Sequence, residues 1–180
     1  MLLVKKTLRH PKANVEQRTA FQSRMEVHQT KGRQSIYLDE SGFAHDMPRT
    51  HGYTPRGERC YGHHNWQAKG RINVIGALIA GTLSAVGLFP CHIDGDVFHA
   101  WVINSLLPIL PAKTVIVMDN ASFHKRQDTQ IAIQQAGHIL EYLPPYSPDL
   151  NPIEHKWAQA KAIRRKLHCP IDELFQHNYL

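Results

Sequence analysis

The stretch INVIGALIAGTLSAVGLF (72–89) contains no charged residue, and its reading decides the fold. A membrane-spanning helix needs roughly 20 mostly apolar residues in succession, so the run is close to that length. Its content points elsewhere. Asn73, Thr82 and Ser84 are polar, Gly76, Gly81 and Gly87 interrupt it, and β-branched residues recur through it. Such residues favour strands over helices. The stretch is therefore expected to supply two buried strands, RINVIGALIA (71–80) and LSAVGLF (83–89), joined by a turn near Ala80 to Thr82, and no membrane association is expected.

Working outward, SIYLDESGF (35–43), KTVIVMDN (113–120) and ILEYL (139–143) have the same short, β-branched character, bounded by Gly, Pro or Asn. Helical spacing appears in DGDVFHAWVINSLLPIL (94–110), opened by Asp94 or Asp96 as cap and stopped by Pro108 to Pro111, and again at about 126–137 and 152–167. Residues 13–31 also read as a helix, with poor apolar spacing. Strands in succession followed by alternating helices and strands predict an α/β fold: a mixed five-stranded sheet flanked by helices.

The 180 residues, 42% hydrophobic and 20% charged, suit one soluble domain. Three cysteines, Cys60, Cys91 and Cys169, form no disulfide framework, and the basic N-terminus has no export signal, so a cytoplasmic location is expected. Charge is placed unevenly. Residues 1–33 hold eight Lys or Arg against Glu16 and Glu26, which is the whole net charge of +6, because the other 147 residues hold thirteen of each sign. The expected organisation is a basic arm over 1–33, suited to a polyanion or simply a solvated helix, followed by a domain over 34–180.

On this framework Asp39 falls near the end of one strand, Asp119 at the end of another, and Glu154 on the first turn of the last long helix. Singly, each has an ordinary reading. Asp39 and Asp119 begin turns, and Glu154 completes a capping box opened by Asn151 and Pro152. Together, three carboxylates at strand ends and a helix start suit hard divalent cations, which take oxygen ligands and share phosphate oxygens. Two such cations can run phosphodiester cleavage or transfer. On that reading the run LPPYSPDLNPIEHKW (143–157), with Pro144, Pro145, Pro148 and Pro152, fixes the entry of the helix that carries Glu154.

In order and spacing, YLDESGF, VMDNASFH and LPPYSPDLNPIEHKW, with 34 residues between Asp119 and Glu154, resemble the catalytic domain of mariner-related transposases of bacterial insertion sequences, within the DDE endonuclease superfamily. The resemblance runs from about Ser35 to Leu167. It implies a ribonuclease H-like fold, two Mg²⁺ or Mn²⁺ ions, and cleavage of element ends followed by strand transfer into double-stranded DNA. It also implies Asp39, Asp119 and Glu154 as catalytic residues and metal ligands, Asp39 being shared by both ions. Self-association, as a homodimer or with a full-length transposase, is implied as well. Relatives carry a helix-turn-helix reader before this domain, and the roughly 34 residues here are expected to be the tail of its linker. A non-catalytic product that regulates a full-length enzyme, and a ribonuclease H-like nuclease with another substrate, are alternatives.

Several basic residues are candidates for DNA contact. Arg49, Arg56 and Arg59 lie in a Gly/Pro-punctuated tract expected to form a hairpin edge, His124 follows Asp119 by five residues, and Lys161, Arg164 and Arg165 lie on the last helix. Each has a structural alternative: a solvated strand face, a strand-ending histidine, or cations favoured by a helix C-terminus. Cys60, His63 and His64 with Cys91 and His92 could suggest zinc, but adjacent Cys91 and His92 lack the usual ligand spacing.

Overall fold

The computed structural model describes residues 11–46, 53–61 and 70–176. Its five strands, β1 (Ser35–Ala44), β2 (Arg71–Ile79), β3 (Thr82–Phe89), β4 (Val115–Met118) and β5 (Ile139–Tyr142), form one sheet in the order β3-β2-β1-β4-β5. The first three are antiparallel, and β4 and β5 are added in parallel. The expected mixed five-stranded sheet is present.

The uncharged stretch 72–89 is a hairpin. Ala80 and Gly81 both have positive φ, at 50° and 83°, which is the two-residue turn whose twist matches that of paired strands. β2 lies inside the sheet and is buried from Asn73 to Leu78, which explains a nearly continuous apolar run without a membrane. Among the described residues no helix is long and apolar enough to cross one.

Alternation along β1 sends side chains to two faces. Ile36 and Leu38 join Ile75, Ile116 and Met118 beneath α2 (Gly95–Trp101) and α3 (Gln127–Gln135), which contribute Phe98, Trp101 and Ile133. α2 is capped by Asp94, whose side chain accepts from the Asp96 and Val97 amides at 3.0 Å, and it continues through a π-helical turn, Val102–Leu106. On the other face Phe43, Val74 and Leu78 pack against α4 (Ile153–Leu167) and a short helix not foreseen from sequence, α5 (Ile171–Gln176). Trp157 of α4 is 1% exposed, and burial of such a ring stabilises by about 1.5–3 kcal/mol or more.

Two expectations require correction. Asp39 does not end its strand, because β1 continues to Ala44. The parallel pairing with β4 stops at Tyr37 and Val117, so Asp39 sits just beyond, where the β1–β4 ladder ends. The second concerns residues 1–33. Helix α1 (Val15–Thr30) lies within that segment, yet it is docked rather than extended as an arm. Its Phe21 is buried against Val115, Val117 and Leu143. Arg18 makes a two-pronged bond to Asp149, at 2.9 and 2.6 Å, and Arg24 donates to Glu141 at 3.0 Å. Residue 33 is therefore not a packing boundary, and two of the basic residues that suited either a polyanion or a solvated helix face are paired within the chain.

Candidate active site

Asp39, Asp119 and Glu154 line one open cleft of about 260 Å³. Asp39 comes from β1, Asp119 follows β4 by one residue, and Glu154 lies on the first turn of α4. Asp39 and Asp119 reach the same face because each is an odd-numbered neighbour of residues facing α1 and α4, Tyr37 and Val117. The opposite wall is the proline run, Leu143 to Pro148, with Asn151. That run is tied to the end of β4 by the Asn120 amide, which donates to the Leu143 carbonyl, and by the Leu143 N–H, which donates to Met118 O at 2.9 Å.

The carboxylates differ in electrostatics. Burial, then the charges of Glu154, Glu40 and Asp119, push Asp39 up to about 7, against a smaller opposing pull from the Glu40 backbone N–H. Its Oδ2 accepts from Trp157 Nε1 at 3.1 Å. Room for that indole exists because residue 76, opposite Asp39 in the ladder, is glycine. A Cβ there would stand 2.9 Å from the Trp157 ring.

Asp119 is held low, first by its hydrogen bond with His124 and also by the Ala121 N–H, against the effect of burial. Both donors, His124 Nδ1 at 2.6 Å and Ala121 N at 2.8 Å, reach Oδ1. His124 Nε2 faces Glu40 Oε1 at 2.8 Å. With a carboxylate oxygen at each ring nitrogen, both nitrogens donate and the ring is an imidazolium. Burial by itself would lower its pKa, but the bonds to Asp119 and Glu40 and their charges prevail and raise it to about 9.

His124 is fully buried, packed 4.3 Å from the rings of Phe98 and Phe123. Its expected contact with DNA is corrected to a buried role as holder of Asp119, since no atom of it reaches solvent. Arg164 is corrected likewise. It is 6% exposed, and its guanidinium donates to the carbonyls of Ala44, His45 at 2.8 Å and Cys169 at 3.4 Å, so it ties α4 to the end of β1. Lys161 lies with its ammonium 5.5 Å over the Phe43 ring, and Arg165 is half-buried. Arg56 and Arg59 are exposed in residues 53–61, which form a turn and no strand, in place of the expected hairpin edge. Arg49, His63 and His64 lie outside the described residues, while Cys60 and Cys91 are exposed.

The expected cap is also different. α4 starts at Ile153, flanked by Pro152, with no side-chain cap bond. Asn151 is 4% exposed, lines the cleft, and its Oδ1 has no hydrogen-bond partner. A buried carbonyl oxygen without a partner is costly unless a water or an ion satisfies it. Three carboxylates and this oxygen are the kind of oxygen ligands that a hard divalent cation takes. Among the described residues no group of three or more His, Cys, Asp or Glu side chains is drawn together tightly enough to hold a cation as it stands.

Comparison with known proteins places this geometry. Residues 34–174 match the DDE superfamily endonuclease family. The chain belongs to that family. Its endonuclease domain also resembles the Mos1 transposase paired-end complex with left transposon end, with a TM-score of 0.68 and 14% identity over 91% of this chain and 53% of that one. For the catalytic domain of Mos1 mariner transposase the TM-score is 0.60, with 13% identity over 91% of this chain and 78% of that one. The Mos1 paired-end complex with Mn gives 0.68 and 16%, with 91% and 53% covered. The fold is thus the ribonuclease H-like one expected from sequence, and the chain spans about half the length of the longer Mos1 chains. No curated protein matches it.

Sequence reasoning misses Glu40, which reads only as part of a turn, and the polar role of Trp157, which sits in an apolar helical stripe. Its placement three residues after Glu154 is the available signal, since that spacing puts both on one side of α4.

Proposed function

We propose that this DDE endonuclease domain is the catalytic part of a DNA transposase, cutting phosphodiesters and transferring strands with Mg²⁺ or Mn²⁺. The observation that carries the reading is the convergence of Asp39, Asp119 and Glu154, from three separate elements, on one open cleft. Residues from 34 onward form the catalytic unit, with α1 bound to it.

Asp39, Asp119 and Glu154 would hold the ions, with the Asn151 Oδ1 available to the same shell. When bound, divalent ions activate a nucleophile and stabilise the departing 3′ oxygen. The protein's own contribution is orientation. Ala121 and His124 both donate to Asp119 Oδ1, which fixes the orientation of this carboxylate and would leave Oδ2 free for an ion. Trp157 engages Asp39 Oδ2. The openness of the cleft suits a polymer substrate, and double-stranded DNA with paired copies of the chain is the partner set, by likeness to the Mos1 complexes with transposon ends. Exposed Arg56 and Arg59, with half-buried Lys161 and Arg165 on α4, are the basic residues proposed for phosphate contact.

The test is cleavage of double-stranded DNA in Mg²⁺ or Mn²⁺ by the chain and by Asp39→Asn, Asp119→Asn and Glu154→Gln, each checked for folding. Loss of cleavage by at least a hundredfold in all three is expected. Cleavage retained in any of them removes that residue from the catalytic set.

A further inference from the structure

We propose that Arg18, which lies before the family-matched region, is a positioning residue for Glu154, acting through Asp149. This rests on the reading of Glu154 as a metal ligand. Arg18 is 6% exposed, and its two terminal nitrogens meet both oxygens of Asp149 in a parallel pair. Such forked pairing fixes direction as well as distance. Asp149 belongs to the tight turn Pro148–Leu150, within which the Leu150 N–H bonds Ser147 O at 3.0 Å and the Asn151 N–H bonds Pro148 O at 2.9 Å. The next link is the Glu154 N–H to Asn151 O at 3.3 Å. One continuous series of bonds therefore runs from α1 to the acid.

α4 has no side-chain cap of its own, so its first turn takes its placement from what precedes it. Apolar packing supports the same joint. Phe21, one turn after Arg18, is buried on Val115, Val117 and Leu143, and Leu150 packs with that group. The Arg18 side chain thus closes a clamp between α1, the end of β4 and the proline turn. Its guanidinium is directed inward, which matches neither of the readings that charge left open, a polyanion-binding arm or a solvated helix.

The test uses the full chain and two readouts. Backbone hydrogen exchange at Leu150, Asn151 and Glu154 is compared between the parent, Arg18→Met and Asp149→Asn, with Arg24→Ala, further along α1 and paired with Glu141, as control. Both substitutions at the pair are expected to speed exchange at these amides by tenfold or more while β1 and β4 stay protected, and Arg24→Ala leaves them unchanged. Mn²⁺ titration without DNA then reads the consequence. Disturbing a group that orients a ligand typically weakens metal affinity 10–100-fold, so Arg18→Met is expected to lose about that much, with partial recovery in Arg18→Lys. In a Glu154→Gln background it should add nothing, because the effect passes through that carboxylate. Unchanged exchange at the turn, or a Mn²⁺ loss that multiplies with Glu154→Gln, overturns the inference. If Glu154→Gln binds Mn²⁺ as well as the parent, the metal-ligand reading fails instead, and exchange alone then decides whether Arg18 orders the turn.

Discussion

Replacing Trp157 by Phe removes the N–H that donates to Asp39 Oδ2 at 3.1 Å while keeping an aromatic ring near Phe43 and Phe175. A hydrogen bond to an ionised group contributes about 1.5–3 kcal/mol. Because about 1.4 kcal/mol corresponds to a tenfold change in proton affinity, Asp39, already at about 7, should rise to roughly 8. Proton and cation compete for this carboxylate, so the loss must depend on pH. At pH 6 the ionised fraction falls from about one in eleven to about one in a hundred, whereas at pH 9 it is nearly unchanged. Calorimetric titration of Mn²⁺ at pH 6, 7.5 and 9 should therefore show affinity about ninefold weaker at pH 6 and converging with the parent at pH 9. The smaller ring also leaves space beside Gly76, a stability cost of about 1–2 kcal/mol read separately by urea denaturation. Equal weakening at all three pH values, or none at pH 6, would refute the view that this bond sustains the ionised form of Asp39.

Two further predictions concern stability and DNA contact. In metal-free protein, Asp39 raised from 3.8 to about 7 and His124 raised from 6.5 to about 9 both favour the protonated fold. Their contributions are complete below the unfolded pKa values and are lost as pH rises through the folded ones, so unfolding free energy should fall by several kcal/mol between pH 4 and 9. Chemical denaturation across that range checks it, and a steady rise would contradict both assignments. Arg164→Met should cost about 2–4 kcal/mol by leaving buried carbonyls without donors yet leave the salt dependence of DNA binding unchanged, whereas Arg165→Ala should reduce that slope by about one.

Much of the fold was legible because strand signals are local. The β-branched runs at 35–43, 71–80, 83–89, 113–120 and 139–143 each became a strand, and the Ala80-Gly81 turn joined the second to the third. A cap at Asp94 or Asp96 was likewise readable, since capping depends on the next three residues alone, and the fold uses Asp94. Asn151 obeyed the same local rule on paper and broke it in the fold. Its backbone was taken up by the turn at Pro148 and its side-chain oxygen was left in the cleft.

The sequence by itself determined the five strands and the longer helices, the acids at Asp39, Asp119 and Glu154, and the order in which they occur, because these follow from period, composition and motif. Only the tertiary structure decided the fate of the basic residues and the partners of the acids. Charge counts for residues 1–33 cannot distinguish a solvated arm from a docked helix, since the difference lies in Asp149 and Glu141, more than a hundred residues away in the chain. Nor can helical spacing show that Arg164 points inward to the end of β1, or that His124 is enclosed between Glu40 and Asp119. Those contacts join residues distant in sequence, and they exist only once the sheet has closed and α4 has packed across it.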